Sequence, residues 1–390
     1  LDGRLRRVRG AVPAAFLARK LNLPLYVPNE NAEEVALVKG VEAYCADTLS
    51  ELVMILMGEE DPRPVPPVFI PDLPVNADPD FADVKGQLQA RRAAEIAAAG
   101  HHNLLLVGSP GSGKTLIAKA ISGILPPLTD EELVETLLVR STLGLPVSPG
   151  RERPFRTVHF SASTVSICGG GNNLRPGEVS LAHRGVLFLD EMIEFPRQVL
   201  EVLRQPLEDG EVVISRSKLS VKYPCNFMLL GAMNPCPCGF LGDREKQCTC
   251  TDVQVQRYKS RLSGPLLDRI DLIINVPRLT TEELTNTSTE SEPSCKIRER
   301  IIKARKIQAK RYENEGILIN SELNASLIKK YCTLDSKSQE IMKLASHKYQ
   351  LSGRKYNRVL KIARTIADLA DSAEIRSEHL TQALQYRTDT

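Results

Sequence analysis

No apolar run in this chain approaches the ~20 residues that a bilayer-spanning helix requires; the longest near the N-terminus covers only residues 52–57. A membrane partner is therefore not expected. The formal net charge of +3 is too small to argue for nucleic acid by itself. No internal repeat is evident, and no signal-peptide pattern opens the chain, whose first residue is Leu1 rather than Met. Together these absences favour a cytoplasmic protein. In that setting nine cysteines suggest thiols or metal ligands rather than disulfides. What is present is ordinary for a soluble globular chain able to bury a core, at 42% hydrophobic and 25% charged residues, and 390 residues allow two or three domains.

The strongest positive signal is residues 108–115. Gly108, Ser109, Pro110, Gly111, Ser112, Gly113, Lys114 and Thr115 follow directly on the apolar run Leu104, Leu105, Leu106, Val107 and precede a helix-like stretch. A buried strand turning through glycines into a helix is the setting of a phosphate-binding P-loop. Glycines let successive backbone N–H groups close on phosphate oxygens, and the helix N-terminus adds a favourable dipole. Lys114 would reach the β- and γ-phosphates, and the Thr115 hydroxyl would ligate Mg²⁺. The bland alternative is a glycine-rich turn, but strand, motif and helix agree in order. The expectation is a nucleoside triphosphate site for ATP and Mg²⁺.

A second apolar strand, residues 185–189, ends in Asp190 and Glu191. Asp190 would hold Mg²⁺ through water, and Glu191 would polarise the attacking water as general base. Alone, such a pair reads equally well as an acidic helix start. A third strand, residues 227–233, ends in Asn234, where a γ-phosphate sensor would stand; strand-end polar residues converging on one crevice are what an open parallel sheet offers a ligand.

The rest of the chain divides by composition. Residues 1–57 read as a small α/β piece, with strands around 5–8 and 25–28 and helices over 12–21 and 32–39. Seven prolines within residues 58–80 favour an extended, semi-rigid connector. The P-loop core then occupies 81–279. Residues 280–294, rich in Thr, Ser and Glu, read as a flexible loop. Residues 295–390 show helical periodicity, with Ile297, Ile301, Ala304 and Gln308 on one face.

Within the core lie residues 175–183 (Arg-Pro-Gly-Glu-Val-Ser-Leu-Ala-His), residues 195–210 (Phe-Pro-Arg-Gln-Val-Leu through Leu-Glu-Asp-Gly), and Asn234-Pro235-Cys236-Pro237-Cys238-Gly239. On these motifs the chain resembles the ComM/YifB family, in the Mg-chelatase-like branch of the AAA+ ATPases, over almost its whole length. The resemblance implies a three-layer αβα AAA+ core with a helix-2 insert, a pre-sensor-1 hairpin and a C-terminal helical lid. Residues 1–10 resemble the second half of a Lon-protease-like domain. Where true Lon proteases carry a catalytic lysine shortly after Gly10, this chain has Val12, with Lys20 the nearest lysine. Neither proteolysis nor a complete Lon-like domain is therefore expected, and the chain reads as N-terminally truncated.

The resemblance also assigns roles. Leu266, Leu267, Asp268 and Arg269 match the segment that supplies an arginine finger, so Arg269 would reach a neighbouring subunit's nucleotide in a ring, usually a hexamer. The alternative is a salt bridge to Asp268 or Asp271. Residues 354–360 resemble a sensor-2 helix, with Arg358 as the γ-phosphate contact, Arg354 its alternative, and a solvated arginine the bland reading. Residues 161–178 become a pore-facing insert. One departure is His159-Phe160, where the family carries two adjacent histidines.

Other readings come from the residues themselves. Cys236 and Cys238, nine residues before Cys248 and Cys250, form paired C-x-C units that suit a structural tetrahedral Zn²⁺ site, or else four reduced thiols. The remaining cysteines read as packed thiols. Residues 212–222 alternate as a hairpin carrying Arg216, Lys218 and Lys222; repeated around a ring, these cations would track a phosphate backbone, although a solvated edge hairpin fits as well. Eight cations against Glu299 within residues 296–311 read more simply as an exposed helix face. ATPase chemistry follows from the residues. A DNA partner, and branch-migration helicase action in recombination and natural transformation, are what the resemblance implies. A metal-chelatase motor subunit and a protein-remodelling factor remain the alternatives.

Overall fold

The computed structural model describes residues 2–68, 78–145, 150–171, 173–216, 219–280, 283 and 291–386. The N-terminal residues build a small sheet in which β1 (Leu25–Pro28) runs parallel to β2 (Ala43–Ala46), and β3 (Arg63–Pro64) closes antiparallel on β2. Helices Ala11–Leu21, Ala32–Ala36 and Leu49–Met57 accompany it. The last starts at a capping box between Thr48 and Glu51 and was not anticipated from sequence. Val12, Ala15, Val27 and Val35 share a core with Leu133 and Leu137 of helix Asp130–Thr142, so this piece packs on the rest of the chain.

Two expectations for this region fail. Residues 5–8 form no strand: backbone pairing stops at the antiparallel bridge of Arg4 with Thr48 and the Leu5 amide on the Asp47 carbonyl (2.8 Å), and the Arg7 and Val8 amides donate instead to the side chains of Glu30 and Asn31. The proline-rich stretch is not wholly a connector, because Arg63 and Pro64 form an edge strand, a place that tolerates proline's missing N–H. Its residues 69–77 lie outside those described.

Nine further strands follow among the described residues: β4 (Leu104–Val107), β5 (Phe155–Val158), the two-residue β6 (Gly169–Gly170) and β7 (Arg175–Pro176), β8 (Val186–Leu189), β9 (Glu211–Arg216), β10 (Leu219–Pro224), β11 (Met228–Met233) and β12 (Leu272–Asn275). Five of them make a parallel sheet in the order β12-β4-β11-β8-β5. Its strands read as unbroken apolar runs because both faces are buried. Leu104, Leu106, Phe188 and Leu230 point to one side, among Ile117 and Ile121 of helix Lys114–Ile124 and Ile301 and Ile366 of the C-terminal helices. Leu105, Leu187, Leu189 and Leu229 point to the other, against Val199, Leu200 and Leu266. The alternation is the two-residue period of an extended chain. At Gly231 a Cβ would lie 2.7 Å from Met192 Sδ and 2.8 Å from Leu105 Cδ1, so the strand approaches its neighbours too closely for a side chain.

This is an αβα core with a C-terminal helical region of Ser294–Arg311, Ala325–Tyr331, Ser336–Tyr349, Gly353–Leu369 and Ser377–Gln385. On the first of these helices Ile297, Ile301, Ala304 and Gln308 are buried, as the periodicity indicates. β9 and β10 pair as an antiparallel hairpin. Its tip, including Lys218, lies outside the described residues, as do Asn172 of the expected pore insert and most of the expected 280–294 loop.

Candidate nucleotide and metal sites

β4, β8 and β11 are parallel neighbours, so the segments leaving their C-terminal ends meet at one sheet edge. β4 runs into the glycine-rich loop, where Gly111 (φ 78°) and Gly113 (φ 93°) adopt the left-handed conformation that glycine allows without strain. Gly108 is required for another reason: a Cβ there would lie 2.3 Å from the Val276 carbonyl oxygen and 2.7 Å from Ser112 Oγ. Lys114 opens the following helix and folds back over the loop, donating to the carbonyls of Gly108 (2.7 Å) and Ser109 (2.9 Å) and to Asn234 Oδ1 (3.3 Å). Burial lowers the Lys114 pKa, and Asp190 and Glu191 pull it back up. Thr115 Oγ1 donates to Asp190 Oδ2 at 2.9 Å. The structure therefore brings Lys114, Thr115, Asp190 and Asn234 together, with Glu191 next to Asp190, exposed and in a left-handed turn (φ 50°).

Arg269 and Arg358 lie at the opposite edge. Arg358 donates to the Asp268 carbonyl, and its Nε is 3.7 Å from Asp271 Oδ1. Asp271 sits where β12 begins, its amide bonded to the Asn103 carbonyl just before β4. The four residues of β4, about 13 Å of extended chain, separate this end from the P-loop, so Arg358 is not at the phosphate loop of its own chain. Arg269 pairs with neither Asp268 nor Asp271. Its guanidinium bonds Glu208 and the Pro265 carbonyl (2.7 Å), and Arg354 approaches the same Glu208 at 3.8 Å.

Cys236, Cys238, Cys248 and Cys250 converge, with all four sulfurs within 4.8 Å of one another. Cys236, Cys238 and Cys248 are 3.4–3.6 Å apart pairwise, and the amides of Leu241, Cys238 and Cys250 point at the sulfurs of Cys236, Cys250 and Cys248. The Phe240 amide, with that of Thr249, draws the Cys238 thiol down to about 5. Cys248, although the Cys250 amide pulls it down, is pushed up to about 12 by burial and the neighbouring sulfurs. Four sulfurs this close could hold a metal ion, and as thiolates near tetrahedral spacing they would suit Zn²⁺.

This four-cysteine segment also abuts the P-loop, which no sequence pattern indicated. A Cβ on Gly239 would lie 2.7 Å from Pro110 Cδ. Asp243 is held down at about 2 by the Ser109 hydroxyl and by the amides of Glu245 and Lys246. The cationic readings fare differently. Lys222 is paired with Glu211 inside its own hairpin at 2.7 Å. On helix Ser294–Arg311, Arg300 pairs with Glu95 and Glu292, Arg311 pairs with Asp368, and the half-buried Arg305 donates to the Ala98 carbonyl (2.9 Å), desolvation pushing its pKa down to about 9. These three arginines hold the fold together, so that helix is not simply a charged outer face.

Residues 80–284 match the family described as magnesium chelatase, subunit ChlI, and residues 291–387 match its C-terminal counterpart. The chain is 43% identical to "Competence protein ComM" of Haemophilus influenzae, covering 99% of this chain and 76% of that protein. It is 40% identical to the YifB protein of Escherichia coli, covering 99% and 75%. Similarity to the "Magnesium-chelatase 38 kDa subunit" of Cereibacter sphaeroides is 25% over 40% of this chain and 52% of that protein. No helix among the described residues is long and apolar enough to cross a membrane.

Proposed function

The chain belongs to the ComM/YifB family of Mg-chelatase-like AAA+ proteins, and from that premise we propose that it is a Mg²⁺-dependent ATPase that works as a ring, in the manner of a hexamer, on DNA. The observation that carries the ATPase reading is the convergence of Lys114, Thr115, Asp190 and Asn234 at one edge of the parallel sheet, with the Thr115 hydroxyl 2.9 Å from the Asp190 carboxylate. Two hard oxygen donors at that separation fit Mg²⁺. When bound, Mg²⁺ neutralises charge on the phosphate oxygens. The loop amides of residues 111–115 and the Lys114 ammonium hold the phosphates. Glu191 Oε accepts a proton from the attacking water, and Asn234 orients the water and the γ-phosphate.

Arg269 and Arg358 share the sheet edge opposite their own P-loop, which supports a role for both at a neighbour's nucleotide in a ring. In this reading residues 1–57, with the edge strand Arg63–Pro64, are part of a Lon-protease-like domain without proteolytic activity, the rest of 58–80 a connector, 81–279 the ATPase core, 280–294 a loop and 295–390 the lid. Zn²⁺ held by the four cysteines closes the 236–250 insert.

The DNA substrate rests on the likeness to a competence protein and on the cationic hairpin at Arg216, Lys218 and Lys222. The finer reading is a branch-migration helicase in homologous recombination and natural transformation. A chelatase motor subunit is less well supported, since that likeness covers 40% of the chain against 99% for the competence protein. The deciding experiment measures ATP hydrolysis with single-stranded, duplex and four-way-junction DNA, with Lys114→Ala as the blank. Stimulation by DNA together with movement of the junction supports the motor. Hydrolysis indifferent to every DNA removes DNA from the proposal and leaves chelatase or protein partners.

A further inference from the structure

Asn103 stands between the two ends of the machinery. It immediately precedes β4, whose other end becomes the P-loop, and it is partly buried. Every polar group it has is engaged. Its amide donates to Asp271 Oδ2 at 2.9 Å, and its carbonyl accepts the amides of Asp271 (3.0 Å) and Leu272 (2.9 Å). Its side chain does two separate things: Oδ1 accepts the Leu229 amide of β11 at 2.7 Å, and Nδ2 donates to the carbonyl of Arg269 at 2.8 Å. The lid reaches the same junction. The neighbouring His102 is fully buried, with Nε2 2.8 Å from Thr365 Oγ1 on helix Gly353–Leu369 and Nδ1 3.7 Å from Asp271.

We propose that Asn103 is a positioning residue for Arg269, fixing the finger's backbone to the strand that carries the same chain's P-loop. The proposal rests on the ring-ATPase reading above. The physical case is that Arg269 leads off a short turn after helix Gly264–Leu267, whose own hydrogen bonds do not tie it to the sheet. The Asn103 amide supplies that tie at the residue itself. A guanidinium acting across an interface is sensitive to backbone placement, since an error of about 1 Å in a reacting group costs on the order of 10²-fold in rate.

The Asn103 side chain allows its two bonds to be separated. Asn103→Asp keeps an oxygen for the Leu229 amide but replaces the donor with a carboxylate facing the Arg269 carbonyl. The expected result is a kcat lower by roughly 10–100-fold, with KM for ATP within about two-fold and a melting temperature lowered by only a few degrees. A merely structural defect within the chain would look similar in part, so the decisive readout is subunit mixing. A Lys114→Ala subunit has no working P-loop but keeps a normal finger. In a ring assembled at random with head-to-tail contacts, Asn103→Asp mixed equally with Lys114→Ala rebuilds about a quarter of the sites as intact P-loop against intact finger. Activity should therefore return on mixing two nearly inactive proteins, as it should for Arg269→Ala mixed with Lys114→Ala.

Recovery with Arg269→Ala but none with Asn103→Asp overturns the proposal and leaves the ring reading standing. Wild-type turnover in Asn103→Asp overturns it as well. No recovery with either mixture removes the trans-acting finger, and this proposal with it. If Asn103→Asp does not fold, Asn103→Ser carries the same mixing test.

Discussion

Lys114 Nζ and Asn234 Oδ1 stand 3.3 Å apart, joining the first residue of the P-loop helix to the first residue beyond β11. The pair measures how far two strand ends have converged, and it separates two functions. Lys114→Ala should abolish detectable nucleotide binding in a fluorescent-nucleotide titration. Asn234→Ala should leave affinity within about three-fold and lower kcat on the order of 10²-fold, as expected for a group whose contacts matter most in the transition state. Equal losses of affinity in both variants would show that Asn234 merely props the lysine.

Glu191 should divide binding from hydrolysis. With its carboxylate exposed at the end of β8, Glu191→Gln preserves shape and hydrogen-bonding reach but removes the base. Phosphate release should fall on the order of 10²–10⁴-fold while ATP binding persists. Near-normal release would move the base elsewhere.

The four cysteines should hold one zinc per chain by elemental analysis, and Cys248→Ser should lose it. Because Gly239 presses on Pro110 and Asp243 faces Ser109, zinc loss should also weaken nucleotide binding several-fold. The exposed thiol variant Cys295→Ser should change neither quantity. An unaltered affinity in the zinc-free protein would show that the insert and the P-loop are neighbours without coupling.

Acid should weaken the attachment of helix Asp130–Thr142 to the β8 side of the core. Burial favours the protonated form of Glu135, but the bonds from His183 (3.1 Å) and Arg184 (2.7 Å) outweigh it and bring the pKa from 4.5 to about 2. A carboxylate depressed in the folded state contributes stability above the unfolded value, and that contribution is lost as pH falls from 4.5 towards 2. Urea midpoints should show Glu135→Gln less stable than wild type at pH 7, with the gap closing across that window. A gap constant with pH would mean the ion pair is not the source.

Much of the candidate nucleotide site was legible because its residues are local in sequence. The P-loop is eight contiguous residues after an apolar strand, and Asp190 and Asn234 each follow an unbroken apolar run, so a parallel sheet buried on both faces was enough to bring them together. The buried face of helix Ser294–Arg311 could be read from periodicity alone. The four-cysteine cluster could be read from spacing, since two short C-x-C units need only one chain reversal to meet. The strand expected at residues 5–8 failed because a β-like pattern does not say whether a partner strand or a side chain will take its amides.

What sequence determined was therefore the set of contiguous motifs and the faces of its helices, because backbone and period act over a few residues. Tertiary structure alone decided which end of the sheet each distant group occupies. It set Arg358 and Arg269 opposite their own P-loop, gave Arg269 to Glu208 rather than to the nearer Asp268 or Asp271, and laid the cysteine insert on Pro110. It also made Asn103 a junction, since its partners Leu229 and Arg269 lie 126 and 166 residues away in the chain. Contacts at such separations depend on strand order and packing, which no local pattern encodes.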